Sequence, residues 1–358
     1  MRRVVVLAGV LLSLALVAFA SIVSIDRQAR PDAVAVAIAA APSAPRPIIA
    51  ATVAASAIPT SVPTLVPTLA PPTPTPRRTV PRVGVQVGHW KSSELPDELA
   101  RLRTSAGASA GGVREVDVNL DIAQRVVALL QARGYDVDLI PATVPPSYDA
   151  DAFVAIHADG STSARPRGFK MATPWRTSDA SQALLDSLTT AYAATTGLPQ
   201  DDAITFNMRG YYAFSYRRHI HASAKTTPAV IIETGYLTNA ADRAFLLKRA
   251  QTVAAGIDAG IARYLAQRDP NDLAALVPPD FPVFRPATDG VVVRAAPSEK
   301  ARALIKLTTE SRIFVFRERD GWFEAVVRGE WRTVGWIQRA DLVATDDPQP
   351  TPPPASDS

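Results

Sequence analysis

Val83-Gly84-Val85-Gln86-Val87-Gly88-His89 and Phe153-Val154-Ala155-Ile156-His157 decide how this chain folds. Each is a short run of β type that stops where the sequence turns polar, and each stops on a histidine. In layered α/β proteins, sites gather at the carboxyl ends of the strands. The chain holds only four histidines, and two of them take that position. A single histidine at a strand end is more often a hydrogen-bonded core or surface residue, so the pair gains meaning only with further residues.

Outward from these runs, residues 82–267 alternate strand-like and helix-like segments. Arg82 to Val87 predicts a strand. Asn119 to Arg133 places Leu120, Ala123, Val126, Val127 and Leu130 on one helical face, with Gly134 as the stop. Tyr135 to Ile140 and Phe153 to Ile156 predict strands, Ala180 to Thr195 a helix ending near Gly197, Val230 to Ile232 a buried strand, and Asn239 to Ala266 a closing helical segment. Strands separated by helices imply a largely parallel or mixed sheet.

Two neutral imidazoles and one carboxylate form the open ligand set of a catalytic zinc, and a further free glutamate moves protons. Glu115 stands a few residues before the helix expected near Asn119, where an acid also suits the helix dipole; Asp117 is its rival for a ligand role. Glu233 follows Val230-Ile231-Ile232. Burying its charge demands a cation, a metal or a raised pKa, unless the side chain reaches solvent. The chain has no cysteine, which excludes thiolate ligands and thiol nucleophiles, so a metal must sit on histidine and carboxylate. His219 and His221 are candidates to line the substrate groove or steady the oxyanion, whereas spacing by two on a strand would put both on one solvent face; Arg209, Arg217 and Arg218 are candidates for pairing with substrate carboxylates.

Composition divides the rest. Residues 1–25 open with Arg2 and Arg3 and then run without charge from Val4, the layout of a signal peptide or a membrane anchor; either puts the remainder outside the cytoplasm, in the cell envelope. Residues 26–81 are a spacer rich in proline, alanine and threonine, and 345–358 form a tail of the same character, expected to be disordered. The net charge of +4 is modest, and no clustered basic face interleaved with aromatics speaks for nucleic acid.

Gly88-His89, then Glu115-Val116-Asp117-Val118-Asn119-Leu120, then Ile156-His157-Ala158, then Pro228-Ala229-Val230-Ile231-Ile232-Glu233-Thr234-Gly235-Tyr236-Leu237-Thr238-Asn239 together resemble the zinc-dependent N-acetylmuramoyl-L-alanine amidases of bacterial cell-wall turnover. The last motif is the most specific. The resemblance covers about residues 83–265 and implies a mixed six-stranded sheet flanked by helices, a Zn2+ held by His89, Glu115 and His157, Glu233 as the proton-transfer group, and peptidoglycan as substrate. One departure stands out: the family usually has Asp-Pro before its Gly-His and Gly-Gly after it, where this chain has Gln86-Val87 and Trp90-Lys91. The groups that support the ligands are therefore expected to differ.

Beyond Pro278-Pro279, residues 281–344 form short alternating runs, a small β-barrel pattern. Val292-Val293-Arg294-Ala295-Ala296-Pro297-Ser298, Asp320-Gly321-Trp322 and Gly335-Trp336-Ile337 resemble a bacterial SH3-like domain, a type that commonly binds peptidoglycan. Trp322, Trp331 and Trp336 are its groove candidates, or else core fillers. The catalytic segment is then 82–268. Two rivals to amidase activity follow from the same residues: another zinc peptidase of wall peptides, and a wall-binding protein without catalysis.

Overall fold

The structure, a computed structural model, describes residues 78–327 and 333–350. The expected signal or anchor, most of the spacer, Trp331 and the end of the tail lie outside those residues. Among the described residues, no helix is long and apolar enough to cross a membrane.

The catalytic segment runs β1 (Arg82–Val87), a hairpin of β2 (Ser109–Ala110) and β3 (Val113–Arg114), α1 (Glu115–Ala132), β4 (Asp136–Ile140), β5 (Ala152–Asp159), β6 (Lys170–Ala172), α2 (Asp179–Thr196), the single turn α3 (Phe206–Arg209), β7 (Ala229–Tyr236), α4 (Ala240–Lys248) and α5 (Ala250–Gln267). Its sheet has the order β4-β1-β5-β7-β6; the first four strands are parallel and β6 is antiparallel to β7. The sheet is mixed, as expected, but has five strands rather than six. Alongside β6 a further segment makes one isolated pairing, Phe169 with Gln200. Pro199, which has no N–H to donate, accepts from Phe169 N at 3.0 Å, and no ladder develops.

The period of two along each strand sorts the faces. Val83, Val85, Val87, Val154, Ile156, Val230 and Ile232 pack with α1, α2 and α5 in one fully buried core. Phe153, Ala155, Ala229 and Ile231 face the other way, against irregular segments that carry Val144, Tyr148, Met208 and Phe214. Gln86, His157 and Glu233 share the parity of this second set. The side of the sheet away from α1, α2 and α5 therefore holds the chemistry.

Three boundaries differ from the sequence expectations. The first helix begins at Glu115, not near Asn119, because Glu115 and Asp117 fill its first turn, where acids are favoured. The last strand runs on through Glu233 to Tyr236, since β5 and β6 pair with it on both sides. The closing helix is two, capped at Asn239, whose side chain accepts from Ala241 N and Asp242 N, and broken at Arg249.

The C-terminal region contains β8 (Val283–Pro286), β9 (Val292–Arg294), β10 (Ala303–Lys306), β11 (Ile313–Arg319), β12 (Trp322–Val327), β13 (Thr333–Gln338) and β14 (Leu342–Thr345), in an antiparallel sheet of order β10-β9-β13-β12-β11-β8-β14. Asp320 and Gly321, with φ of 50° and 76°, make the tight turn that joins β11 to β12. Trp336 is buried and Trp322 half-buried.

α2 and α5 approach closely at Gly260, where an added Cβ would lie 2.6 Å from the Leu188 Cα. Replacing a helical glycine by alanine ordinarily gains about 1 kcal/mol of propensity, but a clash with backbone cannot be relieved by a rotamer and overpacking costs about 1 to 3 kcal/mol. The clash wins. Gly260→Ala is expected to lower the urea midpoint, with a net loss of up to about 2 kcal/mol; a midpoint above the parent value would contradict this packing.

Candidate active site

His89, Glu115 and His157 come together at the carboxyl ends of β1 and β5 and the start of α1. One ligand atom from each lies within 4.8 Å of the others. Glu115 Oε1 sits 3.4 Å from His89 Nε2 and 3.0 Å from His157 Nδ1. Asp117, the rival, is exposed and paired with Arg114 at 2.5 Å. It plays no part here.

Local geometry is built for this convergence. Gly88 passes directly over His157, and a Cβ there would fall 2.4 Å from the ring's Cε1, so the Gly of Gly-His is a steric requirement. His89 itself is in the left-handed region, φ 64°. Its Nδ1 lies 2.9 Å from the Ser105 carbonyl, which can only accept, so Nδ1 carries the proton and Nε2 turns its lone pair inward. Glu115 Oε2 accepts from Ala108 N at 2.6 Å, and Oε1 from Asn119 Nδ2 at 3.2 Å and Ala158 N at 3.3 Å. Asn119, one helical turn after Glu115, holds the carboxylate from behind.

His157 is fixed from its other nitrogen. Nε2 is 3.1 Å from Tyr211 Oη, Tyr211 donates to Gln86 Oε1 at 2.9 Å, Gln86 Nε2 donates to Tyr212 Oη at 3.0 Å, and Tyr212 donates to the Ala142 carbonyl at 2.5 Å. A chain in that sense makes Nε2 the donor and leaves Nδ1 as a lone pair facing Glu115. Gln86 is fully buried. Through Tyr211 it supports His157 from within the Gln86-Val87 departure.

The three donors fit a divalent metal on these observations. Two inward lone pairs and a buried carboxylate form a cluster of acceptors, which repel unless a cation lies between them. Burial pushes the Glu115 carboxyl up, but without a metal the positive charge of protonated His157 and His89 would outweigh it and hold the group well below the usual carboxylate range. Burial lowers His89, and Glu115 more than restores it, leaving a net rise. Both shifts express the same demand for positive charge.

Glu233 lies beside His157 in register across β5 and β7. Its Oε2 is sealed from solvent and has no hydrogen-bond partner. Burial, then the charges of Glu115 and Asp159, push its pKa well above the ordinary value, against a smaller pull from Lys170. Lys170 is opposite Glu233 on β6 and is itself buried, held by Asp159 Oδ2 at 2.5 Å and Tyr236 Oη at 2.9 Å. His89, Glu115, His157, Asp159, Tyr211 and Glu233 border a cleft of about 830 Å³.

Sequence reasoning missed Tyr211, Tyr212, Asp159 and Lys170. Only Gln86, a polar residue inside an apolar strand, gave a signal. Arg209 and Arg217, expected to meet substrate carboxylates, are already bound to Glu324 at 3.4 Å and Asp280 at 2.5 Å.

The family model for N-acetylmuramoyl-L-alanine amidases matches residues 83–263, just over half of the chain, and the chain belongs to that family. The protein is an enzyme of that class, whose members act on peptidoglycan. Similar solved structures include an N-acetylmuramoyl-L-alanine amidase from Clostridium difficile 630, 18% identical, covering 54% of this chain and 100% of that one with a TM-score of 0.40. The catalytic domain of CwlV from Bacillus (Paenibacillus) polymyxa var. colistinus is 25% identical over 53% of this chain and 100% of its own, TM-score 0.38. Ami1 from Mycobacterium smegmatis is 19% identical over 52% and 97%, TM-score 0.39. No curated protein matches the chain.

His219 and His221 lie on a loop, not a strand, and serve a different group. Glu98 accepts from Ile220 N at 3.0 Å, His221 N at 2.8 Å and His221 Nδ1 at 2.8 Å, with His219 Nδ1 3.7 Å away. Burial raises the Glu98 carboxyl, but these donors outweigh it and its pKa falls below the usual value. A depressed folded pKa adds stability that is present above the unfolded value of about 4.3 and is lost as pH falls through the folded one. Glu98→Gln is expected to cost about 1 to 2 kcal/mol at pH 7, and the gap to the parent in denaturant melts should close below about pH 4. A gap that persists unchanged at pH 3 would show that the charge contributes nothing.

Proposed function

We propose that the protein is a zinc-dependent amidase of the cell envelope that cuts the amide between N-acetylmuramic acid and L-alanine, with His89, Glu115 and His157 as metal ligands and Glu233 as the proton-transfer group. The observation that carries this reading is Glu233 Oε2: a carboxylate oxygen without a partner, in the same cleft as three converging ligand atoms. An orphaned buried acceptor costs roughly 1 to 3 kcal/mol, which favours a role in chemistry over one in stability.

Zinc, when bound, supplies a Lewis acid that lowers the pKa of a water and polarises the lactyl carbonyl. Glu233 receives the proton of the attacking water on Oε2 and delivers it to the nitrogen of the departing L-alanine. Its raised pKa suits Glu233 to hold that proton between the two transfers. Tyr211 and Gln86 keep His157 in the tautomer that leaves Nδ1 free. Residues 1–25 would export the chain or anchor it in the membrane, residues 26–81 would span part of the wall, and residues 281–344, as an SH3-like module, would hold wall peptides.

Three measurements test this on purified sacculi. Chelation should abolish release of stem peptides with a free L-alanine amine, and Zn2+ should restore it; fragments cut inside the stem would instead mark a peptidase. Glu233→Gln should lower kcat by about a hundredfold to ten-thousandfold with KM little changed, and should leave thermal stability intact or higher, since the amide has no charge to desolvate. Tyr211→Phe should weaken Zn2+ affinity about ten- to a hundredfold in a chelator competition assay. Unaltered affinity would remove Tyr211 from the support of His157.

A further inference from the structure

A second cavity, about 120 Å³, lies between the catalytic domain and the C-terminal sheet, away from the proposed metal ligands. Among the described residues its walls carry four guanidinium groups, Arg176, Arg209, Arg217 and Arg218, and no carboxylate. Apolar closure comes from Phe314, Phe316 and Val326 of the C-terminal sheet, with Gln349 at the rim.

The polar atoms around it are unsatisfied in one sense only. Trp175 Nε1, Arg176 Nε, Tyr216 Oη and Arg217 Nε are all buried without a hydrogen-bond partner, and all four carry a proton to donate. The neighbouring cations are partly neutralised: Arg209 meets Glu324 and Arg217 meets Asp280. Among the described residues Arg176 meets Gln349 Oε1 at 3.4 Å and the ring of Phe316, 5.9 Å from its Cζ, with Tyr216 and Asp280 acting on it electrostatically. Burial and the nearby charge of Arg217 push its pKa down.

Water could satisfy the donors but not the charge. Asp280, the carboxylate that acts on Arg176, is already paired with Arg217, so the charge is under-compensated, and charge-assisted hydrogen bonds from convergent N–H groups to an anion are the strongest remedy. We propose that this cavity binds a small oxyanion, a carboxylate or a phosphate, held by Arg176 and Arg217 with Trp175 Nε1 and Tyr216 Oη. The space is several times what one water needs and suits such a group. The site bridges the domains: Trp175 stacks on Phe316 with ring centroids 4.7 Å apart, so a bound anion ties the catalytic domain to the C-terminal sheet.

The test uses the full chain at constant ionic strength. Inorganic phosphate and acetate are titrated separately against chloride, with calorimetry and thermal melting as readouts. Saturable binding of one anion per chain, accompanied by a rise in melting temperature, is expected. Tighter binding of acetate would indicate a carboxylate ligand such as a peptide, and tighter binding of phosphate a phosphate ester or free phosphate. Arg176→Gln should weaken binding about tenfold or more, while Arg319→Gln, an exposed arginine elsewhere on the sheet, should change nothing. Should Arg176→Gln fail to fold, Arg217→Lys keeps the charge, removes the planar fork and should weaken binding severalfold. Heats without saturation, or the same affinity in the Arg176 or Arg217 variant as in the parent, would overturn the site.

Discussion

A carboxylate buried against two imidazole lone pairs needs a cation, and much of the catalytic domain is arranged around that need. Placing Glu115 in the first turn of a helix gains about 0.3 to 1 kcal/mol from the dipole, whereas burying its charge costs several kcal/mol. The helix end cannot balance that difference. Hydrogen bonds from Ala108 N, Asn119 and Ala158 N reduce it, but they position the oxygens as much as they stabilise them. The remaining deficit is filled by positive charge: a proton on histidine, or a metal.

The same requirement explains the backbone around the site. Gly88 leaves room for the His157 ring, His89 takes a left-handed conformation to turn its Nε2 inward, and the β2–β3 hairpin brings Ala108 against Glu115. None of these is a general feature of an α/β sheet. Each exists because three side chains from distant parts of the sequence must meet within a few ångströms.

The strands and the long helices were legible because their apolar periodicity is dictated by burial on two faces. The converging trio of His89, Glu115 and His157 was legible because histidine is scarce in this chain and both relevant copies end apolar runs. What was not legible depends on irregular backbone. Tyr211 reaches His157 from a loop with no periodicity, and Lys170 enters through a three-residue edge strand too short to leave a pattern. Glu115 was placed outside its helix because the acid that starts the helix is also the acid that leaves the hydrophobic stripe. Glu233 was assigned to a strand end because a charge inside a strand contradicts the burial rule. That exception is what makes it functionally telling.

The sheet's two faces also determine what can reach the site. Helices α1, α2 and α5 close one face with a fully buried core, so the cleft opens only on the other, where its wall includes the short segment around α3. Residues of that segment alternate: Thr205, Asn207 and Met208 border the cleft, while Phe206 and Arg209 turn to the C-terminal sheet. Arg209 lies over the Trp175 ring at 4.2 Å and shares Glu324 with Arg317. Since Tyr211, which orients His157, follows two residues after Arg209, the C-terminal sheet holds the piece of chain that orients a ligand. One physical link between the C-terminal sheet and the site therefore runs through one turn of helix, from Glu324 through Arg209 toward Tyr211.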